Sequence, residues 1–284
     1  KLSIIFNGEI YNFKTIKKEL QNLWHKFLTS SDTEVLIKAY KERAQECTKK
    51  LDGMRSFCIF DQEKEILFLS RDRIGEKPLL YQYNKNFFLF WSEIPALQKF
   101  QQNQPNRKAL SNFSLHNFRH IATPYSCLNQ VQKLEPWFNI TLNLKTRQIK
   151  KNKYLTIPKI KIVKSPTKQT KTILENAVKQ SCYADVPVWI FLSGWIDSSL
   201  IASMLQDRDI VTYSLGQNEN DPEIIRADKI AKHLWLKNRK IYREKTMNPQ
   251  NMVENIEAVI KNYGEPVNLM QIIYNKIILE QMKK

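Results

Sequence analysis

The sequence predicts an α/β chain with an α+β part: a mixed, strand-rich half, then a half in which strands and helices alternate. Over the first hundred residues, short apolar runs ("LSIIF", "SFCIF", "ILFLS", "FFLFW") are interspersed with two helical spacings. From residue 166 onward each strand run is followed by a helical one, the pattern of a doubly wound, mainly parallel sheet.

The elements follow in order. Strand "LSIIF" runs through "NGEIYN" into the helical spacing of "FKTIKKELQNL". A second helix, "DTEVLIKAYKERA", opens on Asp32, which reads as its cap. The strands "SFCIF", "ILFLS" and "FFLFW" come next. Between about residues 101 and 165 the pattern loosens through "QQNQPNRK" and "ATPYS" to one strand-like run, "FNITLNL". A basic linker containing "KTRQIKKNKY" and "KIKIVKSPTKQTK" follows. Helix "KQTKTILENAVKQS", strand "VPVWIFL", loop "SGWID" and helix "SSLIASMLQ" then lead to strand "IVTYSLG" and helix "PEIIRADKIAKHL". Strand "NRKIYR" and helix "PQNMVENIEAVIKN" extend the alternation. The expected divisions are a domain over 1–125, a strand and linker over 126–165, and a domain over 166–284.

Composition narrows the function classes. At 284 residues the chain is long enough for two cores. No stretch approaches the roughly 18 uncharged apolar residues of a membrane span. The formal net charge of +17 raises the question of nucleic acid. The excess, however, is lysine, thinly spread, without aromatic residues interleaved as a stacking platform. It reads as a solvated surface. Cys47, Cys58, Cys127 and Cys182 show no CxxC spacing and read as reduced thiols of a cytoplasmic protein. Histidine is too scattered for a histidine-based zinc site. The opening "KLSIIFNGEIYNF" has no initiator Met, so an internal fragment is expected.

Two stretches carry chemistry. In the second half, Ser193, Gly194, Asp197, Ser198 and Ser199 occupy a strand-to-helix turn. The first amides of a helix lack internal partners and its dipole attracts anions there, while serine hydroxyls add donors. There is no GxxxxGK[ST], so this is not a Walker-type loop. A serine-rich helix cap is the plain alternative, weakened by "TYSLG" ending the next strand at Leu215 and Gly216. In the first half, Asn7 and the Gly8 amide could form an oxyanion hole. Glu9 and Asp32 could hold the α-amino group of an amino acid. Alone, "NGE" is better read as a turn. It gains weight from "SDTEV", "RDRIGEKPL" and "FWSEIPAL" following in that order.

That ordered set resembles the class II glutamine amidotransferase domain of the asparagine synthetase family. "VPVWIFLSGWIDSS", "ADKIAKHLWLK" and "YGEPV" resemble the same family's pyrophosphatase-type ATP domain, whose loop reads SGGxDS. The resemblance implies an N-terminal-nucleophile-type αββα glutaminase domain and a doubly wound ATP-pyrophosphatase domain, both incomplete. It implies that glutamine is hydrolysed at the first site and ammonia passes through a tunnel. Aspartate is activated with Mg-ATP as β-aspartyl-AMP at the second, giving asparagine, AMP and pyrophosphate. Asn7, Gly8, Glu9 and Asp32 would bind glutamine. Leu192, Ser193, Gly194, Trp195, Asp197, Ser198, Ser199, Leu215 and Gly216 would bind ATP, with Asp197 on Mg2+. The family's glutaminase nucleophile is an N-terminal Cys, which this chain lacks, so no catalytic residue is assigned. "NLMQIIYNKIILE" matches poorly the run that follows GEP in the family. Expected partners are small molecules, with no nucleic acid and no membrane, and a homodimer as the candidate assembly. A related amidoligase of the β-lactam-synthetase type, or an inactive ligand-binding homologue with a blocked ATP loop, are the rival readings.

Tryptophan is oddly placed. There are six glycines, where about 7% of residues, roughly twenty, is usual, and there are also six tryptophans. Trp24 and Trp235 directly follow helical spacings, the C′ position that favours glycine. Trp137 follows Pro136 as in a type II turn, which also wants glycine. Trp195 interrupts the phosphate loop, where a side chain would fill the space for phosphate and exclude glycine-only backbone. Trp91 and Trp189 lie in strand ends near the proposed sites. One cause would cover all six: the codon UGA is tryptophan in some genetic codes and glycine in others.

Overall fold

In the computed structural model, residues 1–116, 119–157, 165–208, 210–216, 218, 220–243, 249–267 and 269–282 are described. The chain divides into two compact units, one of residues 1–160 with 260–267 and one of 161–259 with 268–284.

The first unit begins with β1 (Leu2–Gly8), α1 (Phe13–Asn22) and α2 (Asp32–Arg43), then a short 3-10 helix, Ala44–Lys49. Strands β2 (Arg55–Asp61), β3 (Ile66–Arg71), β4 (Leu80–Tyr83) and β5 (Phe88–Trp91) follow. Helices α3 (Ile94–Phe100) and α4 (Arg107–Leu115) precede β6 (Gln132–Lys133), β7 (Phe138–Asn143) and β8 (Ile149–Lys153). An antiparallel five-stranded sheet runs β1-β2-β3-β7-β8, and a second antiparallel sheet runs β5-β4-β6. Period-two alternation sets the layers. Phe57, Ile59 and Phe68 face Ile16 and Leu20 of α1 and Val35, Leu36, Ala39 and Tyr40 of α2. Their alternates Cys58, Leu69 and Ile140 pack instead on Leu79, Tyr81 and Leu134 beside the small sheet. Leu80, on the opposite face of β4 from Tyr81, joins Ile94, Leu97 and Ala109 of α3 and α4. Helix, sheet, sheet and helix thus stack in that order.

The first helices form for local reasons. Ile16 and Leu20, one turn apart, give α1 its buried stripe. In α2, Asp32 and Glu34 occupy the first turn and Lys41 and Arg43 the last, each sign at the helix end it suits. The cap of α2 is Ser31, whose Oγ accepts from Thr33 N at 3.1 Å, and not Asp32 as the sequence reading had it. Asp32 is the first helical residue and uses its carboxylate elsewhere.

The region read as loosely structured holds more. Asn106 caps α4 by accepting from Ala109 N at 3.1 Å. "KTRQIKKNKY", read as linker, contains the edge strand β8, paired with β7 from Phe138↔Lys153 to Leu142↔Ile149. Lysine on an exposed edge suits a strand that must not recruit another. "KIKIVK" lies outside the described residues.

The second unit contains α5 (Pro166–Ser181), β9 (Trp189–Phe191), α6 (Ile196–Met204) and β10 (Val211–Gly216), then α7 (Pro222–His233) and β11 (Asn238–Arg243). Most of α8 (Pro249–Tyr263) belongs to it, as does α9 (Leu269–Met282), which packs on β10. The three strands form a parallel sheet, β11-β10-β9. Its core gathers Leu192, Ala202, Ala227 and Ala231. The last residues of α8 and the "GEPV" run, 260–267, belong to the first unit.

Candidate functional site

In the first unit, β1 delivers Asn7 and Gly8 to the sheet end opposite Ser56 and Arg55. Gly8 has φ +144°, and a β-carbon there would stand 2.1 Å from Met54 O. Gly53, φ +133°, is equally tight against Glu9 O. Two glycines therefore let the chain leaving β1 lie against residues 52–54, fixed by Glu9 N to Met54 O at 2.7 Å and Tyr11 N to Asp52 O at 2.8 Å. Asp32 comes to the same loop from α2, its Oδ2 accepting from Ile10 N at 3.0 Å. Asn7 Nδ2 donates to Ser92 Oγ at 3.2 Å, which leaves its second amide hydrogen for another acceptor. Asn7, Gly8 and Asp32 are thus brought to one loop, with the Glu9 side chain exposed beside them. Ser92 is a contact that sequence reading missed. Its signal was its place in "FWSEIPAL", used only as part of the ordered set.

Two of the recognised stretches turn out to hold backbone. Asp72 accepts from five backbone amides: Arg55, Ile74, Gly75, Glu76 and Lys77, at 2.6–3.2 Å. Arg71 donates to the carbonyls of Lys77, Leu134 and Gly75, each at 2.7 Å. "RDRIGEKPL" is a loop tied by its own charged side chains. Glu34 of "SDTEV" accepts from Leu28 N, Thr29 N and Thr29 Oγ1, and those donors, Leu28 N foremost, hold its carboxyl down at about 2.

Ser92 also lines a cavity of roughly 630 Å³ inside the first unit, together with Glu76, Ile94, His120, Lys133 and Glu265. Lys133 is ion-paired with Glu265 and donates to Ile121 O at 2.9 Å. Burial, assisted by the nearby Asp72, raises the Glu76 carboxyl above its usual range. Burial disfavours the thiolate form of the three buried cysteines. Burial pushes the thiols of Cys47 and Cys58 to about 12 and that of Cys127 to about 11.

In the second unit, β9 ends at Phe191; the N–H of the next residue, Leu192, donates to Tyr213 O at 2.8 Å, and the chain turns through Ser193 and Gly194 into α6. Gly194 has φ +76°, and a β-carbon there would lie 2.5 Å from Ala227 N of α7. At Gly216, ending β10, a β-carbon would lie 2.4 Å from Ile224 of the same helix. Both glycines let α7 close on the strand ends, bringing Leu215 and Gly216 beside the loop. Ser193 Oγ and Ser198 Oγ are 2.9 Å apart, and Ser214 Oγ donates to Leu192 O at 2.6 Å. Ser199 Oγ is buried with no hydrogen-bond partner. Asp197, in the first turn of α6, is exposed, and no cluster of three metal-binding side chains occurs among the described residues.

Trp195 differs from expectation. It is the residue before α6, with φ −81° and ψ 164°, a backbone open to any side chain. Its ring stacks over the Arg226 guanidinium at 4.4 Å and is 60% exposed. The indole turns outward onto α7, so the expected backbone conflict at 195 does not arise.

Residues 1–155 match the profile of a glutamine amidotransferase domain, and residues 169–284 match that of asparagine synthase. The chain is 35% identical over 224 residues to a Methanocaldococcus jannaschii protein named "Putative asparagine synthetase [glutamine-hydrolyzing] 2", across 75% of this chain and 42% of that protein. It is 30% identical over 274 residues to asparagine synthetase (glutamine-hydrolyzing) 1 of Bacillus subtilis, across 93% of this chain and 42% of that protein. With asparagine synthetase 3 of the same bacterium it shares 32% over 232 residues, 77% of this chain and 37% of the relative. The chain spans less than half the length of these relatives. No helix among the described residues is long and apolar enough to cross a membrane.

Proposed function

The chain belongs to the glutamine-hydrolysing asparagine synthetase family, and from that premise we propose that the protein carrying it is an ATP-dependent amidoligase making asparagine from aspartate and glutamine-derived ammonia. The observation that carries the ATP half is Ser199 Oγ, a buried hydroxyl without a partner at the N-terminus of an anion-seeking helix. A phosphate oxygen would satisfy it. Ser193 and Ser198, whose hydroxyls now bond each other and, from Ser198, Trp195 O at 3.2 Å, would turn to phosphate as further donors, and the first amides of α6 add theirs. Leu192, Leu215 and Gly216 would take the adenosine end, since they close the adjoining strand ends. Asp197 would hold Mg2+ together with phosphate oxygens, because Mg2+ commonly takes one or two carboxylates and leaves the rest to phosphate and water. The ion would neutralise charge on the phosphates.

In the glutaminase half, the free amide hydrogen of Asn7 and the Gly8 N–H would receive the oxyanion of the amide under attack. Asp32, held by Ile10 N, and exposed Glu9 would fix the substrate ammonium. Ammonia released beside Asn7 has an adjoining space to enter, the cavity that Ser92 lines. We read residues 1–125, with the strands β7 and β8 that complete their five-stranded sheet, as the glutaminase domain and 166–284 as the ATP domain, and place the protein in the cytoplasm with small-molecule partners and a homodimer as its assembly.

Aspartate-dependent exchange of labelled pyrophosphate into ATP by the full-length protein tests the reading. Exchange with aspartate supports it. Exchange only with a β-amino acid that then closes on itself would move the assignment to a β-lactam-forming ligase. ATP binding without exchange would leave an inactive homologue.

A further inference from the structure

Seven non-glycine residues among those described have positive φ, and three of them are tryptophan, a residue type with six representatives in 284. Bulky side chains are genuine outliers in that region. The three settings are those that glycine fills. Helix α1 ends with Trp24 N donating to Gln21 O at 2.9 Å and His25 N to Leu20 O at 3.0 Å. Helix α7 ends identically, Trp235 N to Lys232 O at 3.2 Å and Leu236 N to Ala231 O at 3.0 Å. Both are Schellman motifs with tryptophan at C′, at φ +66° and +55°. Trp137, φ +55°, follows Pro136 in a turn closed by Phe138 N to Glu135 O at 3.3 Å, the third position of a type II turn.

The two helix-end side chains gain nothing in exchange. Trp24 is 92% exposed and Trp235 87%, so neither indole is sheltered from water. Trp137 has one lysine over its ring. Trp91, half-buried in β5, leaves its indole N–H buried without a partner. Trp189 and Trp195 sit on backbone that any residue adopts and are neutral.

We infer that glycine stands at positions 24, 137 and 235, and by the same cause at 91, 189 and 195, in the protein its cell makes, each being a UGA codon decoded as glycine. Independent drift to tryptophan would have no reason to find three glycine-shaped sites. A single codon reassigned does, and it also accounts for the scarcity of glycine. The inference rests on backbone geometry and turn chemistry, not on the assignment of either ligand site.

The test is to read the six codons in the gene and to sequence, by tandem mass spectrometry, the peptides spanning the six positions in protein purified from the native cells. UGA at all six with glycine masses is the expected result. A UGG codon at any of them, or a tryptophan mass in any of these peptides, overturns the inference.

Discussion

The backbone N–H of Ile10 donates to Oδ2 of Asp32 at 3.0 Å, tying the loop that leaves β1 to the first turn of α2. One carboxylate therefore has two tasks in the proposed site, holding that loop and meeting a substrate ammonium. The tasks separate by substitution. Asp32→Asn keeps an acceptor for Ile10 and removes the charge. It should melt close to the parent while losing glutamine binding by at least about tenfold, some 1.4 kcal/mol. Asp32→Ala removes both and should destabilise by about 1.5–3 kcal/mol as well. Thermal melts alongside glutamine titration of both variants decide it. Tight glutamine binding by Asp32→Asn would remove the residue from the site.

Asp72 makes a contrasting case. Its carboxylate is engaged by five amides, so its replacement should be a stability event and not a specific binding event. Asp72→Asn points an NH2 group at backbone donors and should cost about 3 kcal/mol or more. A denaturant titration that moves by less than about 1 kcal/mol would show that water replaces the carboxylate without loss.

Lys133 and Glu265 bridge β6 to the "GEPV" run, with side chains 14% and 10% exposed. Breaking a pair this sheltered leaves an uncompensated charge, so Lys133→Met or Glu265→Met alone should destabilise by about 3 kcal/mol. The double Met variant should recover most of that loss, since it leaves no charge to desolvate. The four proteins form a thermodynamic cycle, read by equilibrium unfolding. Additive single effects would mean that the two groups are independently solvated.

Much of this was visible in the residues, and the exceptions have physical causes. "LSIIF" and "SFCIF" are short apolar runs of strand length, and strands β1 and β2 lie where those runs are. Strand β8 was hidden because "IKKNK" is an edge, where lysine replaces the apolar signal on which strand reading depends. Strand β4 was hidden beside a recognised stretch, its four residues following directly on "RDRIGEKPL". The misplaced cap at Asp32 came from Ser31 and Asp32 being equally good cap types side by side; only the β-region backbone of Ser31 separates them. Ser92 and the roles of Arg71 and Asp72 depend on partners distant in sequence, which local pattern does not encode.

The cysteines give a pH prediction. Folded-state thiol values near 12 for Cys47 and Cys58 lie above the ordinary value of 9.0. A raised value means the neutral thiol is favoured by folding. The resulting stability is complete below about pH 9 and is lost as pH rises towards 12. Native protein at pH 8 should therefore expose at most Cys182, which is half-buried, to a thiol reagent, whereas all four react in denaturant. Rapid titration of two or more thiols in the native state would show that the first unit opens readily. Alkaline unfolding should begin above about pH 9 and be delayed by Cys47→Ala only if its cavity is well tolerated.

The helix ends offer the last prediction, and it runs against the habit of mutation. Trp24 and Trp235 each hold a β-carbon in left-handed space, which costs roughly 1–2 kcal/mol per residue. Their rings, 92% and 87% exposed, return almost no burial. Glycine there loses some stability through the greater freedom of the unfolded chain, about 0.5–1 kcal/mol, but removes the steric penalty. Trp24→Gly and Trp235→Gly, made in protein expressed with tryptophan codons, should therefore each be neutral to stabilising by about 1 kcal/mol. For a unit of this size that is roughly 2–4 °C in Tm. Trp24→Ala separates the causes, because it removes the ring and keeps the β-carbon. It should melt with the tryptophan parent and below the glycine variant. If Trp24→Ala gains as much as Trp24→Gly, the exposed ring and not the backbone is at fault, and the left-handed geometry ceases to mark these positions as glycine.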